Sequence, residues 1–384
     1  MSYDSLAHPS MSTPTDTESA PSYTSKPQLD EVTLDGSFVG GLPTGEFEAT
    51  RGPLTLRLRG QIEGISRPTI YHKGRVSGTI MIRSEECAGA TQFEGILSLD
   101  IDSGITQTIN TLNETHVVWQ SADGSGSPPS VVPFAVELAP EFLGRDGQGR
   151  PLPPSCDFSF PAPMALRARV KYNMTVVVDR RKKHGVLSRN KSLTLPFDYM
   201  RRTKPHLPMT ASPSANWYHY TCPIHFKSQS SEPLQARLSI PAAKVYWIGH
   251  NIPFQLGISG PAAALGTLFP AEGGAAVSVS LVRQIVATVR KMPARREMVL
   301  GVGEMRGPYT SGGAASVRWE GHVRVKQPGT MPGFDAGALL VKDFIVAEIT
   351  PPLINPAPFN FPSQKIPVFI RFTTERHEED SAYQ

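Results

Sequence analysis

Cysteine and long apolar runs are both scarce in this chain. Of its 384 residues only three are cysteines, Cys87, Cys156 and Cys222. An odd number of widely spaced cysteines does not make a disulfide framework, so we expect a reducing compartment. The apolar runs stay well short of the roughly 20 residues of a membrane-spanning helix, and the first residues lack the basic and apolar regions of a secretory signal. The sequence therefore predicts a soluble, intracellular protein.

The chain also lacks the sequence patterns of catalysis. It contains no Gly-x-Ser-x-Gly elbow, and no pair of carboxylates stands apart from ordinary surface charge. The segment around His219, Cys222 and His225 holds metal-ligand residue types. In an extended strand, however, the two histidines face one way and the cysteine the other, and no second cluster completes a site. We therefore expect no enzyme activity, no metal and no cofactor.

Two further segments imitate binding motifs. Asp100 and Asp102 look like the start of a calcium loop, but the later oxygen ligands are missing, so we expect the end of a strand there. The glycines of residues 301–307 miss the dinucleotide-binding spacing by one residue and open no evident helix. For this segment we predict a β turn.

Short alternating apolar runs dominate what the chain does contain. Leu54, Leu56 and Leu58 alternate with polar residues, as in a strand that is half buried against a core. Similar runs occur at residues 76–82, 96–101, 134–138, 236–240, 277–281, 317–325, 344–349 and 368–372. The 36 prolines and 33 glycines suit the many turns between such strands. The sequence predicts an all-β fold of two tandem antiparallel immunoglobulin-like β-sandwich domains.

Two segments deserve separate interpretation. Residues 166–178 and 186–197 are long strand candidates, and the linking residues 179–185 end in Gly185, which suits a hairpin turn.

The spacing of apolar residues is ambiguous at residues 280–292. Leu281, Ile285 and Val289 have the spacing of a helix face, but the same residues also share one face of a strand. Their many β-branched side chains favour the strand.

Composition suggests where the domains begin and end. Residues 1–30 are rich in Ser, Thr and Pro with few aliphatic residues, so we expect a disordered tail. The first sandwich is predicted over residues 31–202 and the second over 217–374. A proline-rich linker is expected at 203–216, where proline keeps the chain extended, and an acidic tail at 375–384.

Positive charge is concentrated in one segment. Residues 166–204 hold twelve Lys or Arg against two Asp, whereas the formal charge of the whole chain is +4. The predicted hairpin and its surroundings could contact anionic lipid or a phosphopeptide, or could be a solvated turn that protects a sheet edge. Nucleic acid is not expected, because no aromatic residue between Asn173 and Pro196 could stack on a base. The predicted contact residues are Arg180, Arg181, Lys182, Lys183, Arg189, Lys191, Arg201, Arg202 and Lys204.

Several segments, in order and spacing, resemble the two domains of arrestins, most closely the fungal α-arrestins, which are arrestin-related trafficking adaptors. The segments are residues 71–78, 133–138, 152–155 and 172–178 for the first domain, and 277–281, 341–346 and 366–370 for the second. The resemblance covers residues 31–373. Cys156 stands where the family usually has an aromatic residue, and the loops at 121–130 and 141–150 resemble insertions.

The resemblance implies a non-catalytic adaptor that binds cytoplasmic tails of membrane proteins, at the plasma membrane or endosomes, and links them to endocytic trafficking or ubiquitination. Pro21 and Tyr23 form an incomplete version of the Pro-Pro-x-Tyr motif that binds WW domains of HECT ubiquitin ligases. An ordinary disordered segment is the alternative reading of those residues. Two other functions remain open: a structural subunit of a stable trafficking complex, of the retromer type, and a secreted adhesion sandwich glycosylated at Asn113 or Asn173.

Overall fold

The structure is a computed structural model of the whole chain. It describes residues 31–33, 43–83, 88–101, 104–120, 129–163, 165–179, 191–206, 216–227, 232–270, 274–310, 315–326, 329–352 and 363–376. Within these ranges the chain is almost entirely strand, with the single short helix α1 at Ala262–Leu268. None of the described segments forms a helix with the length and apolar character that crossing a bilayer requires.

Fourteen strands lie in the described residues of the first part of the chain. They are β1 (Glu31–Thr33), β2 (Gly45–Arg51), β3 (Leu54–Gln61), β4 (Thr69–Tyr71), β5 (Arg75–Ile82), β6 (Ala88–Ile101), β7 (Ile105–Trp119), β8 (Val131–Glu137), β9 (Glu141–Leu143), β10 (Gly149–Pro151), β11 (Cys156–Phe160), β12 (Leu166–Asp179), β13 (Lys191–Met200) and β14 (Thr203–Pro205).

The second part contains the other eleven. They are β15 (Trp217–Ile224), β16 (Leu234–Pro241), β17 (Val245–Trp247), β18 (Ile252–Ser259), β19 (Ala276–Val289), β20 (Met292–Val302), β21 (Glu304–Thr310), β22 (Ser316–Val323), β23 (Phe334–Asp335), β24 (Leu339–Thr350) and β25 (Gln364–Thr373).

The predicted burial of alternate apolar residues is confirmed on β3. Leu54, Leu56 and Leu58 of β3 are all at most 1% exposed, so one face of this strand lies in the core. The segment that also had helical spacing is the strand β19, because its β-branched side chains suit a pleated sheet. The predicted pairing of the two long strands is also confirmed: β12 pairs with β13 in antiparallel register, from Tyr172 opposite Phe197 to Val178 opposite Lys191. Residues 180–190, which hold most of the predicted turn and the first residues predicted for the second strand, lie outside the described residues.

Two sheets face each other in the first sandwich. One has the strand order β4-β13-β12-β6-β7, with β11 also paired to β12, and the other has the order β2-β3-β5-β8. All of these pairs are antiparallel except the three-residue pairing of β4 with β13. The sheets close over a core in which Tyr172, Phe93 and Phe197 are buried and their rings contact each other in pairs.

The second sandwich repeats this plan. Its sheets have the orders β15-β16-β18-β22-β21 and β17-β25-β24-β19-β20, with β23 also paired to β24. Again the last long strand, here β25, pairs in parallel with a three-residue strand, β17. The fold is therefore all-β with two antiparallel sandwiches, as the sequence predicts.

The segment between the sandwiches is partly a strand. Residues 203–205 form β14, which pairs with β1, and β14 also contacts β17 and β25 of the second sandwich. Residues 207–215 of the predicted linker lie outside the described residues, as do residues 1–30 and 377–384 of the predicted tails.

The hydrophobic core is not divided at the linker. One buried cluster fills the first sandwich and continues into seven residues of the second, and the other cluster fills the rest of the second sandwich. The seven residues are Ile285, Ala287, Val289, Phe334, Ala336, Leu339 and Val341. One end of the buried face of β19 and of β24 therefore packs against the first sandwich, and the two sandwiches are joined by apolar contact as well as by the chain.

The turn predicted at residues 301–307 is wrong. Gly301 lies in β20, only Gly303 separates that strand from β21, and residues 304–310 form β21 itself. A side chain at Gly301 would collide with the Arg324 carbonyl, and one at Gly303 would meet the Val279 carbonyl at 2.9 Å. These glycines permit close approach of neighbouring backbone rather than a turn.

Candidate functional site

Most of the site residues predicted from the sequence lie outside the described part of the structure. These are Pro21 and Tyr23 of the incomplete WW-binding motif and the cations Arg180, Arg181, Lys182, Lys183 and Arg189. Their predicted roles stay predictions.

The described members of the basic set lie at opposite ends of one strand. Lys191 begins β13, whereas Arg201, Arg202 and Lys204 follow its other end. Ten residues of strand span roughly 30 Å, so the structure does not bring Lys191 together with the other three. Arg202 differs further, because its side chain is only 6% exposed.

Arg202 contributes to contacts between the interdomain segment and the end of the chain. Its Nε donates a hydrogen bond to a carboxylate oxygen of Glu375, and the two groups form an ion pair. Next to it, the Thr203 N–H donates to the Thr374 hydroxyl at 2.9 Å, and the Glu375 N–H donates to the Thr203 carbonyl at 3.0 Å. Side-chain and backbone hydrogen bonds therefore attach the segment that follows β25 to residues 202–203, between the two sandwiches.

A second ion pair lies where the two hydrophobic clusters meet. Arg283 on β19 stands directly opposite Asp343 on β24, and both side chains are 2% exposed. Arg283 donates from Nε to Asp343 Oδ1 at 2.8 Å and from Nη2 to Oδ2 at 2.9 Å, and Nη2 also donates to the Met331 carbonyl. A planar guanidinium can satisfy a carboxylate and a carbonyl at once, which is what a charge buried in this position needs.

Sequence reasoning missed this pair, although the signal was present. Arg283 is in phase with Leu281 and Ile285 on β19, and Asp343 is in phase with Val341 and Ile345 on β24. A charged residue at an inward position of an alternating run must be buried with a partner or must lie at an interface.

Two further interactions link the first sandwich to β19 and the residue that follows it in the second sandwich. The Gln107 side-chain oxygen on β7 accepts a hydrogen bond from the Arg290 N–H just after β19, at 3.0 Å. Burial raises the pKa of the Cys156 thiol, in the first sandwich, to about 12, and the positive charge of Arg283 across the interface opposes this shift without cancelling it. Such a thiol stays protonated at neutral pH, so Cys156 acts as an apolar packing group.

The metal-type residues make ordinary contacts. His219 Nδ1 is 2.7 Å from the Ser239 hydroxyl, and the Cys222 sulfur accepts a hydrogen bond from Gln364. In the described ranges no three His, Cys, Asp or Glu residues come together as a group that could hold a metal ion. Asp100 lies one residue before the end of β6, as predicted for a strand end.

The longest open sheet edge belongs to β7. Over its fifteen residues this strand pairs with β6, and within the described residues no other strand covers its second side. The side chain of Arg145 reaches the Thr108 carbonyl at 3.3 Å, but Val117 near the far end is 65% exposed. An uncovered strand presents backbone donors and acceptors to which an extended peptide can add.

Comparison with known proteins finds similarity in structure but none in sequence. No family model matches the chain, and no curated protein matches it. Among solved structures, the crystal structure of squid arrestin is similar with a TM-score of 0.43 and 12% sequence identity, over 87% of this chain and 99% of that chain. Neither a family nor a function of this chain follows from a similarity at this level.

Proposed function

We propose that the chain is a non-catalytic adaptor that binds extended cytoplasmic tails of membrane proteins and links them to endocytic trafficking or ubiquitination. The observation that carries this proposal is the open edge of β7, a strand of fifteen residues whose outward-pointing backbone groups are largely unpaired within the described residues, next to the exposed Val117. Addition of a strand to such an edge recognises flexible segments without a deep pocket. The buried ion pair of Arg283 with Asp343 and the apolar cluster shared by the two sandwiches support a scaffold in which the two domains are packed together.

Peptide binding to full-length protein tests the edge. Synthetic peptides of cytoplasmic tails are screened by fluorescence anisotropy against the wild type and against Val117→Glu, which places a charge beside the edge and disfavours strand addition. The matched control is Ile62→Glu, since Ile62 is also exposed, at 52%, but lies outside β7. We expect peptide binding that Val117→Glu weakens at least tenfold and that the control retains. Equal binding by both variants would rule out the β7 edge.

Proximity labelling in the native cell tests the wider role. Membrane proteins and a HECT-type ligase among the labelled neighbours support the adaptor, and loss of the ligase in Tyr23→Ala would assign it to the Pro21 and Tyr23 segment. Copurification with other subunits in a fixed ratio would instead support the retromer-type scaffold, because permanent assemblies bury large apolar interfaces.

A further inference from the structure

A shallow groove without acidic residues lies on the outer face of the sheet β15-β16-β18-β22-β21. Its volume is about 450 Å³, and its lining includes Arg237, Gly257, Arg318, Tyr309 and His219 but no Asp or Glu. This face is opposite the core face of the same strands, where Leu238 and Leu256 are fully buried. The groove is thus a solvent-facing depression with a positive lining.

The strand register places two arginines on either side of a glycine. Arg237 on β16 is directly opposite Gly257 on β18, and Gly257 is directly opposite Arg318 on β22. Neighbouring strands lie about 4.8 Å apart, so the two arginine Cα atoms are roughly 10 Å apart with the glycine between them. Side chains in one cross-strand row point to the same face, so both guanidinium groups border the gap above Gly257.

Neither packing nor backbone conformation accounts for a glycine at position 257. It is not among the glycines with positive φ, and a Cβ built there would meet nothing within 4 Å. By contrast, a Cβ at Gly78 or at Gly321 would collide with a carbonyl of the neighbouring strand. A glycine in the interior of a central strand reduces stability, and it is typical of a place where a ligand approaches the backbone closely.

Among the described residues, the two arginines have little neutralising charge around them. Within the described part of the chain, the Arg237 side chain has no hydrogen-bond or ion-pair partner. Arg318 donates to the Gln255 side-chain oxygen at 2.6 Å, and its nearest carboxylate, on Glu320, is 3.9 Å away at the exposed rim. Both charges are therefore available to an anion, and their mutual repulsion falls when an anion sits between them.

We propose that Arg237, Arg318 and the gap at Gly257 form a binding site for a phosphate group. Guanidinium forks match phosphate oxygens and bind them by two parallel hydrogen bonds, and a dianion compensates both charges. The Tyr309 side chain also lines this groove. The site lies on the second sandwich, so it is independent of the β7 edge, and failure of either proposal leaves the other intact.

Isothermal titration calorimetry of the full chain at constant ionic strength tests this site. The probes are inorganic phosphate and a blocked phosphoserine, and tighter binding of the second identifies a phosphate monoester as the ligand. We expect Arg237→Gln/Arg318→Gln to weaken both by at least tenfold. The charge-matched control is Arg59→Gln/Arg75→Gln, which removes two exposed arginines of the first sandwich and is expected to bind as the wild type does.

The variant Gly257→Val tests whether the glycine serves ligand binding or the stability of the fold. Because the added side chain meets open space and valine favours strands, the variant should unfold at the same temperature as the wild type or a higher one. It should also lose phosphate binding by at least tenfold, since its methyl groups fill the gap. Phosphate binding by Gly257→Val that equals the wild type, or no difference between the two double variants, would overturn the proposal.

Discussion

Arg283 and Asp343 mark the position on two neighbouring strands at which one buried face passes from one hydrophobic cluster to the other. On the β19 side, Leu281 belongs to the core of the second sandwich and Ile285 to the cluster of the first. Arg283 and Asp343 are thus the only charged residues on the buried face of these two strands, where their inward neighbours are aliphatic. The strand register places them directly opposite each other. Compared with an apolar pair of the same volume, a buried ion pair of this kind adds little net stability, because removing two charges from water is costly.

The first prediction concerns this pair. Asp343→Leu leaves Arg283 buried without its carboxylate, so we expect the free energy of unfolding to fall by about 3 to 5 kcal/mol. In Arg283→Met/Asp343→Leu no charge is left buried, and stability should return to within about 2 kcal/mol of the wild type or exceed it. Urea unfolding followed by fluorescence measures both. As a control, Glu297→Gln breaks an exposed pair with Arg295 and should change little. An additive double variant would contradict this account.

The second prediction concerns the fastening of the chain end. Thr374→Val removes the hydroxyl that accepts from the Thr203 N–H and donates to the Thr203 carbonyl at 3.1 Å. A lost buried hydrogen bond costs about 1 kcal/mol or more, so the Thr203 amide should exchange with deuterium roughly five to ten times faster. Hydrogen exchange with mass spectrometry reads this directly. The exposed Thr310→Val is the control, and unchanged exchange at Thr203 in Thr374→Val would show that the contact does not hold the hinge.

The third prediction concerns thiol reactivity. With its pKa raised to about 12 by burial, Cys156 has only about one thiolate in ten thousand at pH 8, against about one in ten for an unperturbed thiol. We expect iodoacetamide to label Cys156 at least a hundredfold more slowly in the folded protein than in urea. Because the reactive form is the thiolate, labelling should stay slow as the pH rises through 9. Peptide mass spectrometry resolves the sites, and Cys222, which is only partly buried, is the internal comparison.

The fourth prediction concerns the basic hairpin. Each cation near an anionic surface contributes about 1 kcal/mol, so reversing Arg180, Arg181, Lys182 and Lys183 to Glu should abolish binding to vesicles that contain phosphatidylserine. Binding by the wild type should also weaken as salt is raised. The control is Arg59→Gln/Arg75→Gln, which removes two exposed arginines outside the predicted contact set and should keep the binding. If the reversed variant sediments with vesicles as the wild type does, the hairpin has no lipid role.

Features that depend on residues close together in sequence were predicted correctly, whereas features that depend on residues far apart were not. The alternation at Leu54, Leu56 and Leu58 identified a strand, since the period of two is a local property of the chain. The two long alternating runs at residues 166–178 and 186–197, close together in sequence, likewise indicated the pairing of β12 with β13. The glycines of residues 301–307 misled, because their use is to admit the Arg324 and Val279 carbonyls from segments distant in sequence.

The sequence by itself determined the all-β class and the half-buried faces of the strands, because each follows from the order of polar and apolar residues along a short stretch. Only the tertiary structure decided that Arg283 meets Asp343, sixty residues later, and that Arg237, Gly257 and Arg318 share one row. Those placements depend on strand register and on which sheet faces which, and both are set by long-range packing of the whole core rather than by any local pattern.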